Sequence, residues 1–319
     1  MENICGIDIG SSFITCVTGK KDNTDNTIEI LSGSKVNCRG INKCLVVNIN
    51  ETSNSLRCAF EDAKINIDEL NKVYIGIRGS HIDVINNEGM IDLLYPDRGI
   101  TDKEILKVIE KVKDIGISSD RQILNIIEKE YRIDKRDYVI NPLGKKGKCL
   151  EVFVYIVTGL ISHIKNIKSA VKLANLETEK LVYGIFGLGD TITGQKEKEE
   201  GCLVLDFNGQ IIDILVYYGG IIEYVKELQV GGMINMSEIL KTEKEFFEEV
   251  GILPKKIIVT GDINSLDEVK RTLKKIFRPI SVRLGLLKNI EGPKDIISNP
   301  VFTPAISLLK TKRGDEFIW

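Results

Sequence analysis

Histidine is scarce in this chain, and its cysteines follow no metal-binding spacing. Only His81 and His163 occur among 319 residues, and the seven cysteines never form a Cys-x-x-Cys pair. Zinc sites are built from closely spaced Cys and His residues, so the sequence argues against a zinc protein. The odd number and scattered positions of the cysteines instead predict reduced, mostly buried thiols, as in cytoplasmic proteins.

The chain also lacks a surplus of basic charge and any long apolar run. Its net charge is −2 and its pI is near 5.9, so binding to nucleic acid has no electrostatic support and there is no general attraction to an anionic membrane. No basic N-terminal region is followed by an apolar run, and no apolar run approaches the length of a membrane span. We therefore expect a cytoplasmic protein with no nucleic-acid partner and no strong membrane anchor.

The N-terminal stretch predicts a β-hairpin with a chemically interesting tip. Two β-branched runs, residues 4–9 and 13–18, flank the turn Gly10-Ser11-Ser12, and Asp8 stands at the end of the first run. The backbone N–H groups and hydroxyls of such a tip are suited to a phosphate. Asp, Gly and Ser are also ordinary turn residues, so this signal alone leaves both readings open.

The second half of the chain repeats this theme. Residues 202–207 form an apolar run that ends in Asp206, the turn Asn208-Gly209 follows, and residues 211–217 and 221–230 complete a meander. Two such halves predict an α/β protein in which both Asp-bearing tips face one cleft. In this cleft Asp8 and Asp206 are suited to hold a hydrated Mg²⁺. Glycines in the turns of the second half permit the backbone to approach a nucleotide closely. They are Gly209, Gly231, Gly232 and Gly261.

Between the repeats the pattern is less regular. We expect a helix capped by Asn50, short strands at residues 82–85 and 90–94, a turn-rich section at 120–131 and 139–144, and a Gly-rich stretch at 184–194. The charge run 196–200 reads as a solvated loop, and the acidic run 243–249 reads as a solvated helix face.

The combination of repeat and turns resembles the actin/Hsp70/sugar-kinase ATPase fold, and the detailed motifs resemble FtsA, the actin-like bacterial cell-division family. Gly6-Ile7-Asp8-Ile9-Gly10-Ser11-Ser12 is similar to the family's first phosphate motif. Specific matches fall in an inserted subdomain and at the closing helix. They are Ile77-Arg78-Gly79-Ser80-His81-Ile82, Asp120-Arg121-Gln122-Ile123-Leu124, Asn141-Pro142-Leu143-Gly144, Ile156-Val157-Thr158-Gly159 and Asn299-Pro300-Val301-Phe302-Thr303-Pro304-Ala305.

The resemblance implies an organisation in four parts. Residues 1–78 and 151–200 form the first actin-like half, residues 79–150 form the FtsA-type inserted subdomain, and residues 201–319 form the second half. The family has several dozen residues before the strand of its adenosine motif, and here only residues 233–255 intervene. The small upper subdomain, which covers adenine and docks the FtsZ tail in the family, is therefore expected to be missing.

The chain departs from the family at its nucleotide motifs. Where the family has Asp-Ile-Gly-Gly-Gly-Thr-Thr-Asp, residues 206–213 keep both aspartates, Asp206 and Asp213, but lose two glycines and both threonines. Phe13 replaces a common lysine, and Asp262 enters the Thr-Gly-Gly-Gly adenosine motif. Fewer donors can then reach a phosphate, so we expect weakened affinity.

Two functions from different classes follow. The first is a non-catalytic scaffold or modulator at the division site, which contacts FtsA or FtsZ filaments and self-associates through residues 79–150. The alternative is a slow, actin-like ATPase that links division filaments to the membrane. In this alternative Asp206 or Asp213 orients the attacking water. The residues that bind ATP and Mg²⁺ would be Asp8, Gly10, Ser11, Ser12, Asp206 and Gly209. A sugar kinase would need a substrate-activating carboxylate, and none can be identified in this sequence. An assembly adaptor of the related pilus type explains the FtsA-type insert less well.

Overall fold

The computed structural model describes residues 2–22, 27–66, 70, 72–209, 211–230, 236–262, 266–285, 287 and 290–310. Contacts divide the chain into two compact units. The first unit contains Met1–His81 and Ser162–Lys312, and the second contains residues 82–161, which interrupt the first in sequence. The four-part organisation with boundaries at 78, 150 and 200 stays a prediction.

The elements in chain order are mostly strands in both units. The strands are β1 (Glu2–Ile9), β2 (Phe13–Lys21), β3 (Ile28–Asn37), β4 (Ile41–Asn42), β5 (Leu45–Val46), β6 (Lys72–Ile77), β7 (Ile82–Asp92), β8 (Arg121–Ile133), β9 (Asp137–Val139), β10 (Cys149–Leu160), β11 (Lys180–Tyr183), β12 (Cys202–Asn208), β13 (Ile211–Tyr218), β14 (Ile221–Gln229), β15 (Lys256–Gly261), β16 (Ser281–Leu284) and β17 (Ile290–Glu291). The helices are α1 (Ile49–Asp62), α2 (Asp102–Val112), α3 (Ile161–Leu173), α4 (Ile185–Ile192), α5 (Gln195–Glu200), α6 (Met236–Glu249), α7 (Leu266–Ile276), α8 (Lys294–Ile297) and α9 (Thr303–Leu308).

The first unit contains two sheets of related topology, so the predicted internal repeat is confirmed. One sheet has the order β11-β6-β1-β2-β3-β17, and the other has the order β14-β13-β12-β15-β16. In each, an antiparallel meander is followed by a strand parallel to the first, β6 beside β1 and β15 beside β12. The carboxyl ends of β1 and β6, like those of β12 and β15, therefore point the same way.

Burial explains why these runs become strands. Residues 13–19 of β2 and all of β12 are buried, as in strands covered on both faces. In the second half, the apolar side chains of β12, β13 and β15 pack with those of α6 and α7. The largest of these buried side chains are Phe207, Phe247 and Phe277.

One helix start in the first unit differs from the prediction, and one helix forms where the sequence predicted only a Gly-rich stretch. Helix α1 begins at Ile49, because the side chain of Asn48, not Asn50, accepts the backbone N–H of Glu51 at 3.2 Å. The Gly-rich stretch includes the buried helix α4, where glycine allows close packing: a Cβ at Gly189 would lie 2.6 Å from the Tyr217 hydroxyl.

The two charged runs are also more than solvated surface. Residues 195–200 form α5, in which Glu197 accepts bonds from Arg283 at 2.6 Å and from Lys256 at 3.0 Å. Burial raises the pKa of Glu197, but bonds from Arg283, the Gly194 N–H and Lys256 outweigh it and lower the pKa to about 2. In α6, Glu243 is buried and accepts bonds from Tyr224 and Lys226.

The second unit is an antiparallel sheet, β7-β10-β8-β9, covered by α2. The two short strands expected at 82–85 and 90–94 are one strand, β7, because β10 pairs with it continuously from Gly159 to Cys149. The turn-rich reading of 120–131 is wrong for the same reason, since β8 pairs with β10 along its length. Helix α2 buries Val108, Ile109 and Val112 against this sheet.

Among the residues that the structure describes, no helix is long and apolar enough to cross a membrane.

We predict that Gly6→Ala lowers the free energy of unfolding by about 1–3 kcal/mol, because it overpacks the contact between β1 and α9. A Cβ at Gly6 would clash with the carbonyl oxygen of Ala305, and it would lie 3.2 Å from the Ala305 carbonyl carbon and 3.3 Å from the Leu308 Cβ. Urea unfolding measures the change. Gly184→Ala is the matched control, since its Cβ would meet only a Leu308 methyl at 3.8 Å. Equal stability of the two variants would contradict the packing argument.

Candidate functional site

The first predicted tip is a tight turn at the end of β1. The Gly10 N–H donates to the Phe13 carbonyl at 3.1 Å and closes the turn between β1 and β2. Asp8, two residues earlier, is buried with 3% of its surface exposed. It lies level with Gly76 on the parallel strand β6, so the residues that follow β6 lie near the same end of the sheet.

The second tip places two aspartates side by side. Asp206 on β12 and Asp213 on β13 are direct cross-strand partners, and each is 1% exposed. The intervening turn includes Gly209, whose φ of +60° lies in the left-handed region that favours glycine. This turn brings both carboxylates to the end of the second sheet.

Arg78 connects the carboxylates of the two halves. It follows the last residue of β6, and its side chain is buried. Its Nη2 donates to Asp8 Oδ1 at 2.7 Å, and its Nη1 donates to Asp206 Oδ2 at 2.8 Å and to Asp213 Oδ2 at 2.7 Å. These four residues are called the Arg78 cluster.

Further polar groups complete the surroundings of the cluster. The Tyr183 hydroxyl, at the end of β11, donates to Asp213 Oδ1 at 2.8 Å. The Gly79 N–H donates to Glu227 Oε2 at 2.5 Å, and Glu227 is the β14 neighbour of Asp213. Among the described atoms, Asp206 Oδ1 has no hydrogen-bond partner.

Burial and the shared charge shift the titration of these groups. Burial disfavours the charge of Arg78, but Asp8, Asp206 and Asp213 outweigh it and hold the pKa of the guanidinium above its usual range. The pKa of Asp213 is raised to about 8, because burial, helped by the charges of Glu227 and Asp206, outweighs the lowering by Arg78 and by the Tyr183 hydrogen bond. Burial likewise raises the pKa of Asp206 and of Glu227, against the pull of Arg78.

The two tips also bond directly to each other. The Ser11 N–H donates to Asn208 Oδ1 at 3.2 Å, and the Ser11 hydroxyl donates to the Asn208 carbonyl at 3.2 Å. Asn208 Nδ2 donates to Asp8 Oδ2 at 3.3 Å. The tips approach so closely that a Cβ added at Gly209 would lie 2.9 Å from the Ser12 hydroxyl oxygen. Donors that the sequence assigns to a phosphate thus bond to protein groups.

An ion pair joins the two halves farther out. Lys35 Nζ on β3 lies 3.0 Å from Asp262 Oδ1, and 4.0 Å from the centre of the Phe13 ring. Asp262 follows Gly261, whose φ is +92° and whose added Cβ would lie 2.6 Å from Asp206 Oδ1. The departures at positions 13 and 262 therefore contact each other through Lys35.

The structure brings most predicted site residues together. Residues from both tips meet around Arg78 or at the contact of the tips, and Gly261 lies beside Asp206. They are Asp8, Gly10, Ser11, Ser12, Asp206, Gly209 and Asp213. Gly231 and Gly232 lie outside the described residues. In the described part of the chain, no group of three or more His, Cys, Asp or Glu side chains is arranged to hold a metal ion. The nucleotide and metal roles of these residues stay predictions.

Sequence reasoning missed Arg78, Asn208, Tyr183 and Glu227 as members of the site. Arg78 was part of a matched motif, but its role depends on side chains 128 and 135 residues away. The available signal is its position: it directly follows the apolar run 73–77, which forms part of strand β6 beside β1, so its side chain starts at the end of the sheet that holds Asp8.

Comparison with known families identifies the second unit. Residues 79–158 match the model described as "SHS2 domain inserted in FTSA". This match covers the strands and helix of the inserted sheet, from before β7 to near the end of β10.

Curated relatives match along most of the chain. Cell division protein FtsA of Pseudomonas aeruginosa is 23% identical over 96% of this chain and 88% of its own length. Cell division protein FtsA of Neisseria meningitidis serogroup B is 29% identical over 77% of this chain and 60% of its own length. The chain thus spans less than two thirds of the length of the second relative.

A solved structure supports the same fold. The chain superposes on a component of the PilM-PilN type IV pilus biogenesis complex with a TM-score of 0.71, over 96% of this chain and 97% of the other, at 13% identity. The fold class and the resemblance predicted from the sequence are therefore confirmed. The chain is FtsA-like: it has the actin-like ATPase fold with the FtsA-type domain inserted into it.

Proposed function

We propose that this chain acts in bacterial cell division as a scaffold or modulator that contacts other division proteins without needing ATP. Its partners are FtsA or FtsZ filaments, and residues 79–150 provide self-association. It works in the cytoplasm at the division site. The observation that carries this proposal is the position of the Arg78 guanidinium between Asp8, Asp206 and Asp213.

Arg78 supplies the positive charge that Mg²⁺ would supply in a working ATPase of this fold. A hydrated Mg²⁺ needs carboxylates together with several water molecules. Here one guanidinium bonds to all three carboxylates, and the cluster is almost fully buried. The described residues therefore do not suit Mg-ATP.

The contact between the tips supports the same proposal. A phosphate must be bound by N–H groups and hydroxyls that are free to turn towards it. The Gly10 N–H bonds to Phe13, while the N–H and hydroxyl of Ser11 bond to Asn208. Binding a phosphate here requires breaking several buried hydrogen bonds and separating an arginine from its carboxylates, which is costly.

The function is tested by co-sedimentation with FtsA or FtsZ filaments of the same organism. We expect the chain to pellet with at least one of them, to the same extent with Mg-ATP and after removal of nucleotide. Calorimetric titration of the chain with millimolar Mg-ATP should show no binding heat. The matched control omits the filaments, which separates association from self-pelleting.

Two outcomes would count against this proposal in different ways. Failure to pellet with either filament would remove the assigned partners. Submicromolar Mg-ATP binding that Asp8→Ala abolishes would instead support the alternative, a slowly hydrolysing actin-like filament protein.

We predict that Arg78→Met lowers the free energy of unfolding by about 3–5 kcal/mol, because it leaves buried carboxylates without their cation. Millimolar MgCl₂ should raise the thermal midpoint of this variant but not of the original chain. Urea unfolding and thermal melting by circular dichroism measure both effects.

The control for this prediction is Arg57→Met. Arg57 is exposed and bonds to the nearby Asn54, so its loss should change the unfolding free energy by less than about 0.5 kcal/mol. If Arg78→Met does not fold, Arg78→Lys keeps the charge but lacks the fork that reaches several carboxylates, and should be intermediate. Equal stability of the Arg78 and Arg57 variants would refute the role of the cluster.

The cluster also predicts a pH dependence. The pKa of Asp213 is about 8 in the folded chain and near 4 in an unfolded chain. Between these values the folded chain binds a proton that the unfolded chain lacks, so stability falls as pH rises. This group alone should lower the free energy of unfolding by about 1 kcal/mol from about pH 7 to about pH 9.

Asp213→Asn isolates this effect, because all other titratable groups are present in both proteins. Urea unfolding at several pH values should give a shallower decline for the variant. Parallel pH profiles for the two proteins would show that Asp213 is already ionised at neutral pH.

A further inference from the structure

Two loops at one end of the second unit lie side by side and form a single surface. The Leu93 N–H donates to the Lys148 carbonyl at 2.8 Å, the Gly147 N–H donates to the Pro96 carbonyl at 3.2 Å, and the Ile100 N–H donates to the Lys145 carbonyl at 2.8 Å. The loop-pair surface is defined here as residues 93–100 and 140–148. Its shape is fixed by these bonds and by the burial of Leu93, Ile100 and Pro142.

Large apolar side chains are exposed on both loops of this surface. Leu94 is 82% exposed and Tyr95 is 63% exposed on the first loop, while Ile140 and Leu143 are 61% and 49% exposed on the second. Single exposed apolar residues are ordinary, but four on two bonded loops form a local concentration of the kind that marks a binding surface.

Basic side chains are exposed on the same loop and on an adjoining turn. Lys145, Lys146 and Lys148 are exposed on the second loop. Asp134 ties a neighbouring turn to this loop by accepting the Lys148 N–H at 2.6 Å, and that turn adds Lys135 and Arg136. Asp97, Asp134 and Asp137 are the carboxylates of these segments, so the cations outnumber them.

We propose that the loop-pair surface binds the surface of an anionic lipid bilayer. Leucine, isoleucine and tyrosine side chains enter the interface between headgroups and acyl chains, while the lysines contact lipid phosphates. The lysine stems can lie along apolar surface while their ammonium groups stay at headgroup level. The proposal goes beyond the scaffold function and does not depend on Arg78.

Composition favours a bilayer over an acidic protein as the occupant. Lysine is depleted in protein–protein interfaces, whereas lysine near leucine and tyrosine is typical of segments that lie at a membrane surface. The backbone is also prepared for a less polar environment, since the N–H groups of Leu93, Ile100, Gly144 and Gly147 already have protein acceptors.

The net charge of −2 does not oppose this local attraction. At physiological ionic strength charges are screened beyond about 8 Å, so a bilayer responds mainly to the residues that face it. The absence of a general attraction to membranes, expected from composition, is therefore compatible with one basic and apolar surface.

The test is co-sedimentation of the full chain with large vesicles of phosphatidylglycerol and phosphatidylcholine in equal parts, compared with phosphatidylcholine alone. We expect binding to the anionic vesicles that weakens with added salt. Lys145→Gln with Lys146→Gln should lower the partition coefficient about fivefold for each lysine removed. Leu94→Ser with Tyr95→Ser should lower it about tenfold, through lost insertion of apolar groups.

Matched controls change equal charge or apolar surface elsewhere. Lys274→Gln with Lys275→Gln removes an adjacent exposed lysine pair on α7, and Val250→Ser with Leu253→Ser removes two exposed apolar groups near β15. Both controls should bind vesicles as the original chain does. All variants keep residues 310–319, which include Lys310, Lys312, Arg313, Phe317 and Trp319, so any membrane affinity of this segment is common to them.

Three results would overturn the proposal. The first is that the original chain stays in solution with anionic vesicles at low salt, which would leave an acidic protein as the occupant. The second is that it binds both kinds of vesicle equally. The third is that the loop-pair variants bind vesicles as well as their controls do. If circular dichroism shows that the Leu94 and Tyr95 variant does not fold, the vesicle binding of the Lys145 and Lys146 variant tests the proposal on its own.

Discussion

The first unit depends on one buried interaction, the guanidinium of Arg78 held by carboxylates from both of its halves. Removing a carboxylate from water is costly, and three in one place are tolerated only with a compensating cation and further hydrogen bonds. Arg78 provides the cation, while Asn208 and Tyr183 provide hydrogen bonds to Asp8 and Asp213. Because Asp8 belongs to one sheet and Asp206 to the other, the same interaction also ties the two halves together.

Contacts between the two halves account for several departures from the nucleotide motifs at once. Asn208 occupies a position where a glycine is typical of the motif, and its side chain bonds to Ser11 and Asp8. Asp262 does not face a ligand but pairs with Lys35, which also lies over Phe13. Substitutions that look like separate losses in the sequence thus form a connected set of contacts across the cleft.

The sequence predicts the fold well because its signals are local. Alternating turns and β-branched runs define the hairpins, and the repeat fixes the topology of both sheets. The site is predicted only in part, since Asp8, Asp206 and Asp213 follow from turns, whereas Arg78 acquires its role from residues far away in the chain. Helix α4, the ion pairs of Glu197 and the burial of Glu243 are missed for a similar reason: long-range packing and ion pairs override the local preference of glycine and charge.

The cluster and the loop-pair surface place opposite demands on their charges. In the cluster, low dielectric makes each charge depend on its partner, so one changed residue affects every group, and the pKa of Asp213 rises because burial outweighs Arg78. On the loop-pair surface, exposed lysines interact through screened water and contribute nearly independently. The buried charges are therefore suited to fixing one conformation, and the exposed charges to reversible binding that changes in small steps with salt and lipid composition.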